Sequence, residues 1–208
     1  MTQSLTSRVS ELRPAVGEVR VRIAAVGLSA LGTQVTGTVD AVARDSIGFA
    51  RGDRVAFRGL RPEADRVIVQ EHELIGVPAD VSFDAAAGWF PSALLARTVT
   101  RQVHSIGSGD RVAVTDRSAI APFIRAWAEF LGAQLVEEGA DVTITSDDLR
   151  AARGWKSSQG SAQQAASDVW AAVRGGAFVG ITFSTPEQAR QGSRSPVLLH
   201  PSEVTLAA

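Results

Sequence analysis

The spacing of apolar residues changes abruptly along this chain of 208 residues, and that change constrains the fold more than any other feature. In residues 18–26 apolar and polar residues alternate, which is typical of a β-strand with one buried face. Shorter segments of the same kind follow, separated by glycine, proline and aspartate, at 35–43, 54–57, 66–69 and 74–78. The first part of the chain therefore predicts a small β-barrel or β-sandwich.

After residue 82 the apolar spacing becomes helical. The Ala-rich stretch 82–103 predicts one or two helices divided at Pro91, because proline cannot donate the backbone hydrogen bond of a helix. A buried-type strand at 111–115 is followed by a helix over 118–131 with apolar residues on one face. The remaining predictions are strands at 134–136 and 142–144, a loop over 150–166, a helix at 168–173, a strand at 177–183 and an edge strand in 196–206. Strand–helix–strand alternation predicts a parallel α/β sheet.

Composition excludes several kinds of site. The chain has no cysteine and no tyrosine, which excludes disulfides, thiolate nucleophiles and phenolic proton donors. A formal net charge of −1 argues against nucleic-acid binding, and three scattered histidines give no metal-ligand cluster. No apolar run approaches the roughly 20 residues of a membrane span, and residues 1–8 lack a signal-peptide core. We therefore expect a cytoplasmic protein that binds no metal, no nucleic acid and no membrane.

A series of motifs resembles the medium-chain dehydrogenase/reductase superfamily, in the order in which that superfamily carries them. They are GEVRVR at 17–22, AVGLS at 25–29, GTV at 37–39, FARGDRV at 49–55, ADRVIV at 64–69, VPADVSFDAAA at 77–87, SGDRVAV at 108–114 and GGAFV at 175–179. The nearest resemblance is to zinc-free quinone oxidoreductases and to the enoyl reductases of polyketide synthases. It implies an α/β protein with a GroES-like β-barrel domain at 1–90 and a shortened Rossmann-like domain at 91–195. Residues 196–208 could add an edge to the first domain.

The loop after strand 111–115 departs from this superfamily. Relatives carry a glycine run such as GAAGGVG there, which lets the backbone approach a dinucleotide diphosphate. This chain has TDRSAIAP at 115–122, in which Asp116 adds a negative charge and Pro122 removes an amide donor. We therefore expect the chain to take no cofactor. The alternative is that Arg117 and Ser118 still bind a phosphate and that the cofactor is NADPH.

Three residues are candidates for catalysis. Asp116 and Arg117 follow the first strand of the α/β part, and ligands bind at the carboxyl ends of strands in open α/β sheets. This pair could act as acid and base or hold a carbonyl, whereas the alternative is a helix-capping Asp beside a solvated Arg. Ser29 stands where relatives carry an asparagine after their GL pair, and it is either a carbonyl hydrogen-bond donor or a turn residue.

Three further residues are candidates for substrate binding. Trp89 and Phe90 flank Pro91 and could line an apolar cleft between the two domains, although aromatic residues in such a place are more often core. Arg97 lies four residues before Arg101, so both share one helix face, which either meets an anionic substrate group or is solvated.

The function that these departures favour is that of a degenerate superfamily relative. We expect a cofactor-independent cyclase, isomerase or dehydratase that acts on a hydrophobic, polyketide-type carbonyl compound. The alternatives are an NADPH-dependent quinone or enoyl reductase and a non-catalytic partner subunit. The expected binding partner is a small hydrophobic substrate, and a homodimer formed through an edge strand stays open.

Overall fold

The structure is a computed structural model that describes residues 13–59, 65–154, 159–193 and 195–200. The chain divides into two compact units. The first comprises Met1–Gly88, Phe183–Gln191 and Pro196–Ala208, and the second comprises Trp89–Thr182 and Gly192–Ser195. The domain boundary expected at residue 90 stays a prediction.

The first unit is built on an antiparallel sheet of six strands. In spatial order the main path runs β4, β1, β2, β3, β5, and β9 pairs with the other end of β1. These strands are β1 (Glu18–Ser29), β2 (Gly32–Val42), β3 (Arg54–Gly59), β4 (Arg66–Gln70), β5 (Ile75–Gly76) and β9 (Val197–Leu199). The predicted edge strand near the C-terminus is thus confirmed over 197–199, and residues 201–206 of that prediction lie outside the described part of the chain.

The core of this unit follows from the alternation seen in the sequence. Val19, Val21 and Ile23 face inward from β1 and are at most 6% exposed, while the arginines between them face outward. Residues from all the longer strands join them in one apolar cluster, including Val35, Val39, Val55, Phe57, Val69 and Leu199.

Strand β1 continues past Gly27, where the sequence predicted its end. Gly27 pairs with Gln34 of β2 and with Leu198 of β9. A Cβ atom on Gly27 would lie 2.0 Å from the carbonyl oxygen of Ala87, so glycine is required here for close approach and not for a turn.

The second unit contains a short parallel sheet flanked by helices. Its strands are ordered β7, β6, β8, with β6 at Arg111–Val114, β7 at Gln134–Leu135 and β8 at Val142–Ile144. The α-helices among the described residues are α1 (Phe83–Thr98), α2 (Ala121–Phe130), α3 (Ser146–Arg153), α4 (Gln159–Arg174) and α5 (Pro186–Arg190), of which α1 begins in the first unit and α5 lies within it. An antiparallel β unit together with a parallel α/β unit confirms the predicted fold class.

Pro91 does not divide the Ala-rich stretch into two helices, as the sequence had left open. Helix α1 passes through Pro91 and continues into a π-helical turn at Val99–Val103. Since Pro91 has no N–H, the carbonyl of Ala87 four residues earlier receives no helical hydrogen bond from it. That carbonyl is the one that lies against Gly27.

Two other predictions were wrong. The expected loop at 150–166 is helix at 150–153 and 159–166, and its residues 155–158 lie outside the described part of the chain. Thr145 and Asp148 form a capping box that starts α3, and the Ala- and Gln-rich stretch forms α4. The expected strand at 177–183 is a series of turns in which the amides of Ala177 and Val179 donate to Ala172 and Gly176. Among the described residues, no helix is long and apolar enough to cross a membrane.

Candidate functional site

The loop between β6 and α2 lies at the carboxyl edge of the parallel sheet. Strand β6 pairs in parallel with β8, so Val114 and Ile144 end side by side at the same edge. Thr115 fastens the start of the loop there, because its backbone amide and its hydroxyl both donate to the carbonyl of Ile144, at 2.9 and 3.1 Å. Ligands bind at this edge in open α/β sheets.

Asp116 is the centre of this loop and is only 4% exposed. Its Oδ2 accepts hydrogen bonds from the backbone amide of Ser118, at 2.9 Å, and from the Ser118 hydroxyl. Its Oδ1 accepts a hydrogen bond of 2.8 Å from the hydroxyl of Ser146, the first residue of α3. The carboxylate therefore joins the loop after β6 to the helix after β8.

The environment of Asp116 favours its charged form. Burial alone would raise the pKa of this carboxyl group, but the hydrogen bonds from Ser118 and Ser146 outweigh burial and lower the pKa. The positive charge of Arg125 acts in the same direction. Arg125 extends from α2, and its Nη2 donates to the carbonyl of Val114 at 3.0 Å. A carboxylate anion thus occupies the loop at neutral pH.

The backbone amides of the loop are largely used within it. The amide of Ser118 donates to Asp116, that of Ile120 donates to the Ser118 hydroxyl at 3.2 Å, and that of Ala121 donates to the Ser118 carbonyl at 3.1 Å. Pro122, at the start of α2, has no amide hydrogen to offer. A diphosphate at a helix N-terminus needs such amides as donors. As folded, therefore, the loop does not fit a nucleotide diphosphate.

Two of the predicted catalytic residues lie in this loop, where Asp116 is buried and Arg117 is exposed. Ser29, the third, belongs to the first unit and is the last residue of β1, next to the turn that leads to β2. Its Oγ accepts from the amide of Leu31 at 3.1 Å and donates to the carbonyl of Gly32 at 3.4 Å. The catalytic roles of these residues stay predictions.

The three predicted substrate-binding residues all lie within α1 in the second unit. The Nε1 of Trp89 donates to the carbonyl of Ile181 at 3.1 Å, and the ring of Phe90 stacks on that of Trp170 with centroids 4.7 Å apart. The guanidinium of Arg97 forms two hydrogen bonds with one carboxylate oxygen of Asp168, at 2.6 and 2.7 Å. Each side chain therefore has an internal contact, and its role toward a substrate stays a prediction.

Ser146 and Arg125 are parts of the site that the sequence did not indicate. Arg125 lies within the predicted helix at 118–131, but its reach back to the carboxyl end of β6 depends on how α2 packs. Ser146 could have been found from the sequence TSDD at 145–148. A Thr followed three residues later by an acidic residue is typical of a helix start, which places Ser146 at the first position of a helix.

Comparisons with known proteins place the chain beside quinone oxidoreductases. A quinone oxidoreductase of Pseudomonas aeruginosa is 28% identical over 144 residues, which cover 59% of this chain and 44% of that protein. The quinone oxidoreductase structure from Pseudomonas syringae matches with a TM-score of 0.51 and 25% identity, over 64% of this chain and 51% of that one. No protein-family model matches the chain.

The quinone oxidoreductase of Escherichia coli, solved in complex with NADPH, matches with a TM-score of 0.51 and 22% identity. The match covers 68% of this chain and 49% of the Escherichia coli chain. This chain spans about half the length of the relatives that it matches.

These findings confirm the resemblance to the quinone oxidoreductases of the medium-chain dehydrogenase/reductase superfamily. They favour the reductase alternative over the cofactor-independent cyclase, isomerase or dehydratase, for which they give no support. The polyketide link and the homodimer stay predictions.

The comparisons contradict the expectation that the chain takes no cofactor, because the chain is 28% identical to a quinone oxidoreductase over 144 residues and its structural neighbours include a quinone oxidoreductase solved with NADPH. That expectation rested on the missing glycines, on the negative charge of Asp116 and on the amide donor that Pro122 lacks. Glycine is obligatory only where φ is positive or where a Cβ has no room. None of the described residues 115–122 has a positive φ, so this loop forms without glycine.

Proposed function

We propose that this chain acts as an NAD(P)H-dependent reductase of the quinone or enoyl type, or as part of one. The observation that carries the proposal is the 28% identity to the Pseudomonas aeruginosa quinone oxidoreductase over 144 residues. The matched fold, with an antiparallel β unit followed by a parallel α/β unit, supports it.

The nucleotide would belong at the carboxyl edge of β6 and β8. This edge is the ligand side of an open α/β sheet, and it carries the loop 115–122 and the start of α3. The exposed Arg117 in this loop is our candidate for a phosphate contact, since a guanidinium matches phosphate geometry. The loop amides do not fit this role as folded, so we derive no catalytic step from them.

The substrate would be a flat, apolar carbonyl compound such as a quinone. The three described tryptophans and four phenylalanines, namely Phe90, Phe123, Phe130 and Phe178, lie in the second unit, where each ring contacts another ring of this set. Ser29 remains our candidate for a hydrogen bond to a substrate carbonyl. Its hydroxyl already donates to Gly32, but the 3.4 Å length of that bond marks it as weak and exchangeable.

The test is a titration of the full chain with NADPH, followed by fluorescence, and then a measurement of NADPH oxidation with a water-soluble quinone. We expect saturable binding and quinone-dependent oxidation. Replacing Arg117 by Ala should weaken NADPH binding by up to about fivefold, because an exposed ion pair is worth about 1 kcal/mol at most. Arg44→Ala removes the same charge from an exposed position of the first unit and should leave binding unchanged. Absence of NADPH binding to the wild-type chain would overturn the proposal.

A further inference from the structure

We infer that the Asp116 carboxylate is an internal competitor for the loop amides that the diphosphate of a nucleotide would otherwise use. The inference rests on the proposed function for the identity of the nucleotide. Its other premises are the hydrogen bonds and charges of the loop itself.

The first step is geometric. Anion sites at helix N-termini are made of backbone amides that point at one negatively charged group. In this loop the amide of Ser118 points at Oδ2 of Asp116, and the amide of Ile120 points at the Ser118 hydroxyl, which itself donates to Oδ2. The carboxylate thus takes the position of the bound anion.

The second step is electrostatic. The carboxylate is charged at neutral pH and only 4% exposed, so a phosphate brought to the same amides would meet a like charge that water screens poorly. Arg125 is the cation that acts on Asp116, and its side chain already donates to the carbonyl of Val114. A nucleotide would therefore have to displace the carboxylate before it could use these donors.

The third step concerns how firmly the carboxylate is held. Ser146, on the neighbouring helix, donates to Oδ1, so both carboxylate oxygens are bound and the side chain is fixed from two elements. Releasing this link should let the carboxylate leave the loop more easily. A merely structural Asp116 predicts the opposite result, because removal of a structural side chain would disorder the loop and weaken ligand binding.

The experiment compares Asp116→Asn and Asp116→Ala with the wild-type chain in NADPH titrations and in titrations with inorganic pyrophosphate. Asp141→Asn is the matched control, because it removes the same charge at the opposite end of the sheet, where Asp141 accepts from the amide of Arg111. Amide hydrogen exchange at Ser118 and Ile120 provides a readout that does not depend on a ligand. Ser146→Ala, which leaves the loop sequence intact, serves if the Asp116 variants do not fold.

We expect the Asp116 variants to bind NADPH about tenfold more tightly than the wild-type chain, with faster exchange at Ser118 and Ile120 in the free protein. Ser146→Ala should tighten binding by a smaller factor, and Asp141→Asn should leave it unchanged. Equal or weaker NADPH binding by the Asp116 variants overturns the inference, and if the wild-type chain binds NADPH the proposed function stands.

The remaining outcomes separate the two proposals. If an Asp116 variant binds pyrophosphate but no form of the chain binds NADPH, the inference is supported and the proposed function fails. If neither ligand binds to any form, both are overturned.

Discussion

Replacing Gly27 by alanine should destabilise the first unit, because the backbone of α1 lies directly against this position of β1. The added Cβ would stand 2.0 Å from the carbonyl oxygen of Ala87 and 2.6 Å from its carbonyl carbon. An ordinary contact begins at 3.4 Å, so strand and helix must separate by about 1.4 Å. Both obstructing atoms are backbone, which leaves no side chain that could rotate away.

The free energy of unfolding should fall by about 3 kcal/mol, which is near the upper end of the range for adding volume to a packed core. For a chain of 208 residues such a loss corresponds to a Tm lower by roughly 6–12 °C. Far-ultraviolet circular dichroism is the suitable probe, because all four tryptophans of the chain lie beyond residue 88 and report on the second unit.

Gly76→Ala provides the control for Gly27→Ala. Gly76 lies in β5 of the same unit, and a Cβ there would meet nothing within 4 Å. Its substitution should change the free energy of unfolding by no more than about 0.5 kcal/mol. A Gly27→Ala variant that melts within about 1 °C of the wild-type chain would refute the close packing of β1 on α1.

Three further predictions concern the stability of the chain. Phe178 is fully buried against Trp127, with ring centroids 5.9 Å apart, so Phe178→Ala should cost about 3–5 kcal/mol in urea unfolding followed by tryptophan fluorescence. Phe130→Ala, at a side chain that is 43% exposed, should cost far less, and equal costs would contradict the packing. Arg97→Gln should lower the free energy of unfolding by about 1–3 kcal/mol, between the values for exposed and buried ion pairs. A double-mutant cycle with Asp168→Asn should give a favourable coupling energy between the two side chains. Additive effects of the two substitutions would show that the pair contributes nothing. Hydrogen bonds and nearby positive charges lower the folded-state pKa of four carboxyl groups, those of Asp40, Glu71, Asp116 and Asp148. Because the stability that these groups contribute is lost when they are protonated, the urea midpoint should be constant from neutral pH down to about pH 5 and then fall as the pH drops through 4.5 and below 3.8. A midpoint that stays constant down to about pH 3 would contradict this.

The longer β-strands of the first unit were predictable because they have one buried face. Alternation at 18–26 fixed both the strand and the inward direction of Val19, Val21 and Ile23. The end of β1 was not predictable, because Gly27 has two physical uses, a turn and a close approach. Only the position of α1 shows which one applies.

The second unit was harder to predict because its apolar signals are short. The stretch at 177–183 reads AFVGITF, which suggests a strand, but Phe178 alone supplies most of its burial and the neighbouring glycines allow turns. Gly176 has a φ of +75°, which favours a turn over an extended strand. Helix α3 and the first part of α4 were missed because small polar residues resemble a loop in composition, although Thr145 gives a helix-start signal for α3. The helix predicted at 168–173 lies within α4 and is confirmed.

The candidate site was predictable in position but not in its contacts. The strand pattern placed Asp116 at the carboxyl end of β6, which the structure shows. Its bond to Ser146 depends on the parallel pairing of β6 with β8, which brings together residues 30 positions apart. The sequence showed the charge of Asp116 but not that its carboxylate accepts hydrogen bonds from both the amide and the hydroxyl of Ser118.

Nucleotide binding at the carboxyl edge of β6 and β8 can be tested by titrating the isotope-labelled wild-type chain with NADPH and following the backbone amide signals in NMR spectra. We expect the largest shifts on residues 115–123 and on the start of α3 at Ser146. Shifts confined to the antiparallel sheet of the first unit, or no shifts at saturating NADPH, would show that the nucleotide does not bind at this edge.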